Sequence, residues 1–168
     1  MKTVLISPYP DITSIGIRAI SSYLKKSGQE TRVIFLPVDF LPRRFAGNSV
    51  NLYDDDTIAE IVDISRDAGL IGISVTTGTF PMAREITQAL KKDLKIPIAW
   101  GGIHPTLLPD ECLEFADIVC IGEGEESLLE LTENIESGAD YFNPFFYTLE
   151  RIIFPVIASF QIERFFYD

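Results

Sequence analysis

The chain has 168 residues, 46% of them hydrophobic and 23% charged, enough for one domain with a real core and too ordered a balance for whole-chain disorder. Its 25 acidic residues outnumber 14 basic ones, for a formal net charge of -11. The densest basic runs are the pairs Lys25-Lys26, Arg43-Arg44 and Lys91-Lys92, which excludes a nucleic-acid surface because backbone phosphates need clustered cations.

The first strand is predicted over 3–6, directly at the N-terminus, with no signal-peptide pattern ahead of it. The loop after it reads Ser7-Pro8-Tyr9-Pro10-Asp11-Ile12-Thr13-Ser14-Ile15-Gly16. It contains neither G-x-G-x-x-G nor G-x-x-x-x-G-K-[ST], so the usual dinucleotide fold and the phosphate-loop NTPases lack their main support. A helix follows over 15–27, with Ile17, Ile20, Tyr23 and Leu24 on one face and Gly28 as its terminator. The second strand is predicted over 31–36. The stretch 37–54 holds prolines, Arg43-Arg44 and Gly47-Asn48-Ser49, and reads as a long irregular loop at the strand-end rim.

A helix over 56–67 leads to a third strand over 70–74. The latter runs into Ser74-Val75-Thr76-Thr77-Gly78-Thr79, a rim of hydroxyls and small side chains. One hydroxyl would suffice as an N-cap for the next helix, over 81–94; the remainder suit hydrogen bonds to a ligand. A receiver domain of the same strand order needs an acidic pair after strand one and an aspartate ending strand three. Ser7-Pro8 and Ser74 stand there instead.

The fourth strand, over 96–100, ends in Gly101-Gly102-Ile103-His104-Pro105. After a short helical piece over 109–115, the fifth strand, over 117–121, ends in Gly122-Glu123-Gly124-Glu125-Glu126. Glycines at two neighbouring strand ends let backbone approach a ligand closely, and imply a long ligand edge lying across the sheet top. His104 is the single histidine, so it suits ligand contact or loop structure better than acid–base chemistry. Glu123, Glu125 and Glu126 read as a carboxylate cap on the last helix, over 125–137, which Gly138 terminates.

Cys112 and Cys120 are the only cysteines. They form no disulfide framework and point to a cytoplasmic setting. No apolar run reaches the roughly 18–20 residues of a spanning helix. From residue 141 onward Phe142, Phe145, Phe146, Tyr147, Phe154, Phe160, Phe165, Phe166 and Tyr167 crowd the chain. Leu149, Ile152, Ile153, Val156 and Ile157 keep helical spacing, interrupted by Pro155. Either a helix closing the core or a surface for another domain or a second copy of the chain accounts for them.

Alternating strands and helices define the expected class: an α/β, flavodoxin-like (Rossmann-like), doubly wound parallel sheet of order 2-1-3-4-5, ending in an aromatic-rich helical tail. The expected division is a ligand-binding domain over 1–140 and the tail over 141–168.

Several of these motifs, in this order, resemble the cobalamin-binding domain that precedes the catalytic domain of B12-dependent radical SAM enzymes. They are Ser7-Pro8-Tyr9-Pro10, Ile73-Ser74-Val75-Thr76, Gly101-Gly102-Ile103-His104-Pro105, Pro109-Asp110-Glu111 and Gly122-Glu123-Gly124-Glu125-Glu126-Ser127. The paired GG-x-H-P and GEGE elements are specific together, and the resemblance covers roughly residues 1–138. It implies that the nucleotide tail of cobalamin descends between the sheet and the helices, past the hydroxyls after strand three and both glycine turns. The corrin would lie over the strand ends. Candidate cofactor-binding residues are therefore Ser7, Pro8, Asp11, Thr13, Ser14, Gly16, Ser74, Val75, Thr76, Thr77, Gly101, Gly102, Ile103, His104, Gly122, Glu123, Gly124 and Glu125.

Two departures from related domains bear on chemistry. B12 domains of mutases and methionine synthase carry D-x-H-x-x-G after strand one, with histidine as lower cobalt ligand. Here Asp11 to Gly16 echoes that spacing with Thr13 in the histidine's place, implying cobalamin held without a protein imidazole. Radical SAM chemistry also needs a 4Fe-4S cluster on C-x-x-x-C-x-x-C, which Cys112 and Cys120 do not supply. SAM, the cluster and the methyl transfer or rearrangement are thus expected of a catalytic domain absent from this chain. The competing readings are a stand-alone interaction or scaffold domain that has lost cobalamin, and a flavin- or nucleotide-binding domain on the same topology.

Overall fold

A computed structural model describes residues 1–9, 14–37 and 52–139, together with a two-residue strand at 146–147. In chain order the elements are β1 (Lys2–Ser7), α1 (Ile15–Lys26), β2 (Glu30–Phe35), α2 (Asp55–Ser65), β3 (Leu70–Ser74) and α3 (Phe80–Asp93). Then come β4 (Ile98–Gly101), α4 (Ile103–Leu107), α5 (Pro109–Leu113), β5 (Ile118–Cys120), α6 (Glu125–Ser137) and β6 (Phe146–Tyr147). The first five strands are parallel in the order 2-1-3-4-5, as the alternating pattern predicts.

Two findings depart from the sequence reading. The segment 103–107, read as loop, forms the short helix α4; five residues are too few to show a helical period. The backbone of β6 pairs antiparallel with β5, Val119 opposite Tyr147 and Cys120 opposite Phe146. The sheet therefore ends in a sixth strand at a position the sequence assigns to a helical tail. The rest of that tail, and with it the division at 140, lies outside the described residues, as do residues 38–51 of the irregular loop.

Side chains alternate across the sheet with period two. On one face Val4, Ile6, Ile71, Ile73, Ile98, Trp100 and Val119 pack against residues of α2, α3 and α5, such as Ile61, Ile86 and Leu113. Trp100 is fully buried there, its indole N–H donating to Thr87 at 2.9 Å. On the other face Leu5, Leu70, Ala99, Ile118 and Cys120 meet Ile17 and Leu24 of α1 and Leu128 and Leu131 of α6. Burial on both faces explains why the strands read as continuous apolar runs. The two faces differ in bulk: the second carries glycine and alanine where the first carries isoleucine and tryptophan.

Candidate functional site

That difference in bulk makes the site. On the α1/α6 face, Gly72 lies opposite Ala99 and Ser74 opposite Gly101 in register, with Leu5 opposite Gly72 on the other side. Small residues on adjacent strands lower the sheet surface beneath the two helices at Ala99 and Gly101, while over Gly72 the Leu5 side chain leans in, its Cδ2 2.8 Å from where a Cβ would stand. The result is a cleft of about 380 Å³, floored by these positions and walled by Ile17 and Ile20 of α1 and Leu128 of α6. Its volume lies at the lower end of small-molecule sites, roughly 300–1,000 Å³. It opens at the carboxyl ends of the strands, where doubly wound folds bind ligands.

The glycines at its mouth do different jobs. Gly101 leaves open space: a Cβ there would meet only the Cβ of Cys120, at an ordinary 3.7 Å. Gly102 has φ +112°, and a Cβ on it would stand 2.8 Å from the carbonyl oxygen of Val75. It is a glycine for the backbone's own sake. Gly124 allows close approach of Ile20, whose Cδ1 would lie 2.7 Å from an added Cβ. The turns after β4 and β5 are tied together by Thr106 of α4. Its hydroxyl donates to the carbonyl of Gly102 at 2.8 Å and accepts from the N–H of Gly122 at 3.1 Å.

Of the residues singled out from sequence, Gly16, Ser74, Gly101, Gly102, Ile103, Gly122, Glu123, Gly124 and Glu125 line this cleft. The other described candidates lie apart from its lining. Ser7 turns its hydroxyl to the carbonyl of Tyr9 at 2.9 Å and to Ser14 Oγ at 3.3 Å, holding the loop in which Pro8 stands. The Thr76 and Thr79 side chains engage each other and each other's N–H, so their hydroxyls are spent within the turn. Val75 is fully buried in the opposite core. Asp11 and Thr13 lie outside the described residues.

His104 is buried on the α3 side, its ring 4.7 Å from that of Phe80. Nδ1 is 3.3 Å from Thr77 Oγ1, while Nε2 stands 3.5 Å from a Glu111 carboxylate oxygen without forming a hydrogen bond. The carboxylate cap expected at α6 takes another form. The N-cap is Gly124, with no side-chain hydrogen bond; Glu125 and Glu126 occupy the first turn, where the helix dipole favours them. Leu5, Ile20, Gly72, Ala99, Thr106 and Leu128 line the cleft but escaped sequence reading. Only Gly72, a glycine inside a strand, carried a signal for close approach. Cys120 also lines the cleft, its thiol pushed up to about 11 by burial.

The B12 binding domain family matches residues 1–132. The chain belongs to that family. Among solved structures this B12-binding domain is similar to the cobalamin-dependent S-adenosylmethionine radical enzyme OxsB with aqua-cobalamin bound, at 22% identity and a TM-score of 0.62. The match covers 83% of this chain and 19% of that one, so the B12-binding domain spans about a fifth of its neighbour's length. The N-terminal domain of the hypothetical protein TM0182 of Thermotoga maritima is also matched, at 22% identity and a TM-score of 0.44, over 70% of this chain and 81% of that one. No curated protein is matched. Membership supports cobalamin as the ligand. Among the described residues no helix is long and apolar enough to cross a membrane.

Proposed function

We propose that this domain holds cobalamin with the nucleotide tail in the α1/α6 cleft and the corrin over the strand ends, as the cofactor module of a larger radical SAM enzyme. The observation that carries the proposal is the coincidence of the small-residue floor with both glycine turns. The space above Gly101 is a cradle that any side chain there would fill. Gly72, Ala99 and Gly101 would bound the tail, Gly122 and Gly124 would flank it, and Ser74 would offer a hydroxyl at the mouth. Ile15, Ile103, Leu107 and Leu108 are exposed at the same rim, an apolar collar suited to the corrin and to the catalytic domain above it.

Bound there, cobalamin supplies a methyl-carrying or one-electron redox centre. The chain's own part is to hold it, shield the tail from water and leave the cobalt's lower position without imidazole. Its single histidine is buried against Phe80, across the sheet from the cleft. A flavin or nucleotide with a phosphate dianion suits the cleft less well. Among the described residues no Lys or Arg lines it, and Glu123 and Glu125 stand at its mouth.

The test is gel filtration of the chain with hydroxocobalamin, followed by the visible spectrum of the protein peak. The corrinoid should co-elute with a spectrum lacking an imidazole or benzimidazole lower ligand. A Gly101→Leu chain should melt within a few degrees of the original yet retain at least tenfold less. Full retention by a folded Gly101→Leu chain means that the tail lies elsewhere.

A further inference from the structure

The cleft is divided by depth, and the division has a consequence for which cobalamin-like molecule it takes. Leu5, Gly72 and Ala99 lie two residues before the strand ends at Ser74 and Gly101, hence about 7 Å below the rim. Leu128 lies three residues past Glu125 along its helix, roughly 4.5 Å down, while Ile20 reaches back against Gly124 at the mouth. All of these deep side chains are hydrocarbon or absent. The backbone beneath them is engaged: β3 is paired with β1 on one edge and with β4 on the other. Among the described residues the polar side chains that line the cleft, Ser74, Thr106, Glu123 and Glu125, belong to the rim. The Cys120 thiol, level with Gly101, is held by Ser127.

Resting on the cobalamin reading above, we infer that the cleft selects among cobamides by their lower base, taking apolar bases and rejecting those with polar edges. In a cobamide the base is the far end of the tail, so it is the group that reaches the hydrocarbon floor. Dimethylbenzimidazole presents two methyl groups there, and a p-cresol base presents one. Adenine presents an amine and ring nitrogens that would lose water and gain no partner. Such a loss lowers affinity by roughly tenfold or more, equivalent to about 1.4 kcal/mol.

The test is equilibrium dialysis of the full 168-residue chain against four corrinoids: cobalamin, a p-cresol cobamide, an adenine cobamide and tail-free cobinamide. Cobalamin and the p-cresol cobamide should each bind at least tenfold more tightly than the adenine cobamide. Dimethylbenzimidazole coordinates cobalt more strongly than adenine, so cobalamin bears the larger cost of detaching its base and its advantage over the adenine cobamide cannot arise from lower-ligand exchange. Ala99→Ser, which sets a hydroxyl on the floor, should narrow the gap. Cobalamin and adenine cobamide binding within less than tenfold of each other overturns the selectivity and leaves cobalamin binding intact. Cobinamide binding as tightly as cobalamin overturns the seating of the tail in the cleft. Retention of none of the four overturns the cobalamin reading itself, and the selectivity with it.

Discussion

Thr106 concentrates much of the site's geometry in one hydroxyl. By donating to Gly102 and accepting from Gly122 it sets the separation of the two glycine turns at the cleft mouth. Valine has nearly the same shape and can do neither. Each lost bond is worth about 0.5–1.5 kcal/mol net, so Thr106→Val should weaken cobalamin retention roughly tenfold while lowering the melting temperature by only a few degrees. Thr106→Ser should restore binding, a rescue that mere loss of packing would not give. Gly102 answers differently. With φ +112° and Val75 against its α-carbon, Gly102→Ala strains the backbone whether or not ligand is present. We expect about 1–3 kcal/mol of destabilisation in urea unfolding of the free chain.

The elements that hold the rim are braced by contacts distant in sequence. Glu85 of α3 accepts the N–H groups of Leu52 and Tyr53, at 2.8 and 3.0 Å, where the chain enters α2. The buried Tyr53 hydroxyl then donates to the carbonyl of Pro8 at 3.1 Å. Burial, reinforced by the Glu85 charge, pushes that phenol above its usual range. Glu85→Ala should therefore cost about 1–3 kcal/mol and expose residues 52–54 to limited proteolysis. If protection is unchanged, the brace is not holding the rim. This brace was invisible in sequence because Glu85 lies 32 residues from Tyr53 on a helix that otherwise reads as ordinary. By contrast the five parallel strands and α1, α3 and α6 were legible, since apolar spacing is local. The cleft was half legible. Gly101 and Gly124 announced themselves as clusters, whereas Gly72 and Ala99 matter only once strand register sets them on one face beside Ser74 and Gly101. The sixth strand went unread because two residues carry no alternation.

At the scale of the whole molecule, two thiols are buried in opposite cores, Cys112 of α5 on the α2/α3 side and Cys120 of β5 under α1 and α6. Burial pushes both up to about 11 from an ordinary 9.0, with Glu111 adding to the shift at Cys112 and Glu125 at Cys120. A raised folded pKa means that the unfolded chain releases these protons first as pH rises. Their contribution to stability is thus complete below about pH 9 and is lost progressively between about 9 and 11. A chain of net charge -11 gains further negative charge over the same interval, which also opposes compactness. The urea midpoint should fall between pH 8.5 and about 10.5, and a Cys112→Ala, Cys120→Ala chain should show a shallower fall in that interval. Equal slopes for the two chains would assign the alkaline loss to the general charge alone. Because only Cys120 lines the cleft, bound cobalamin should slow alkylation of Cys120 at pH 9 while leaving the rate at Cys112 governed by global opening. Equal protection of both thiols would mean that the ligand stabilises the fold without covering the cleft floor.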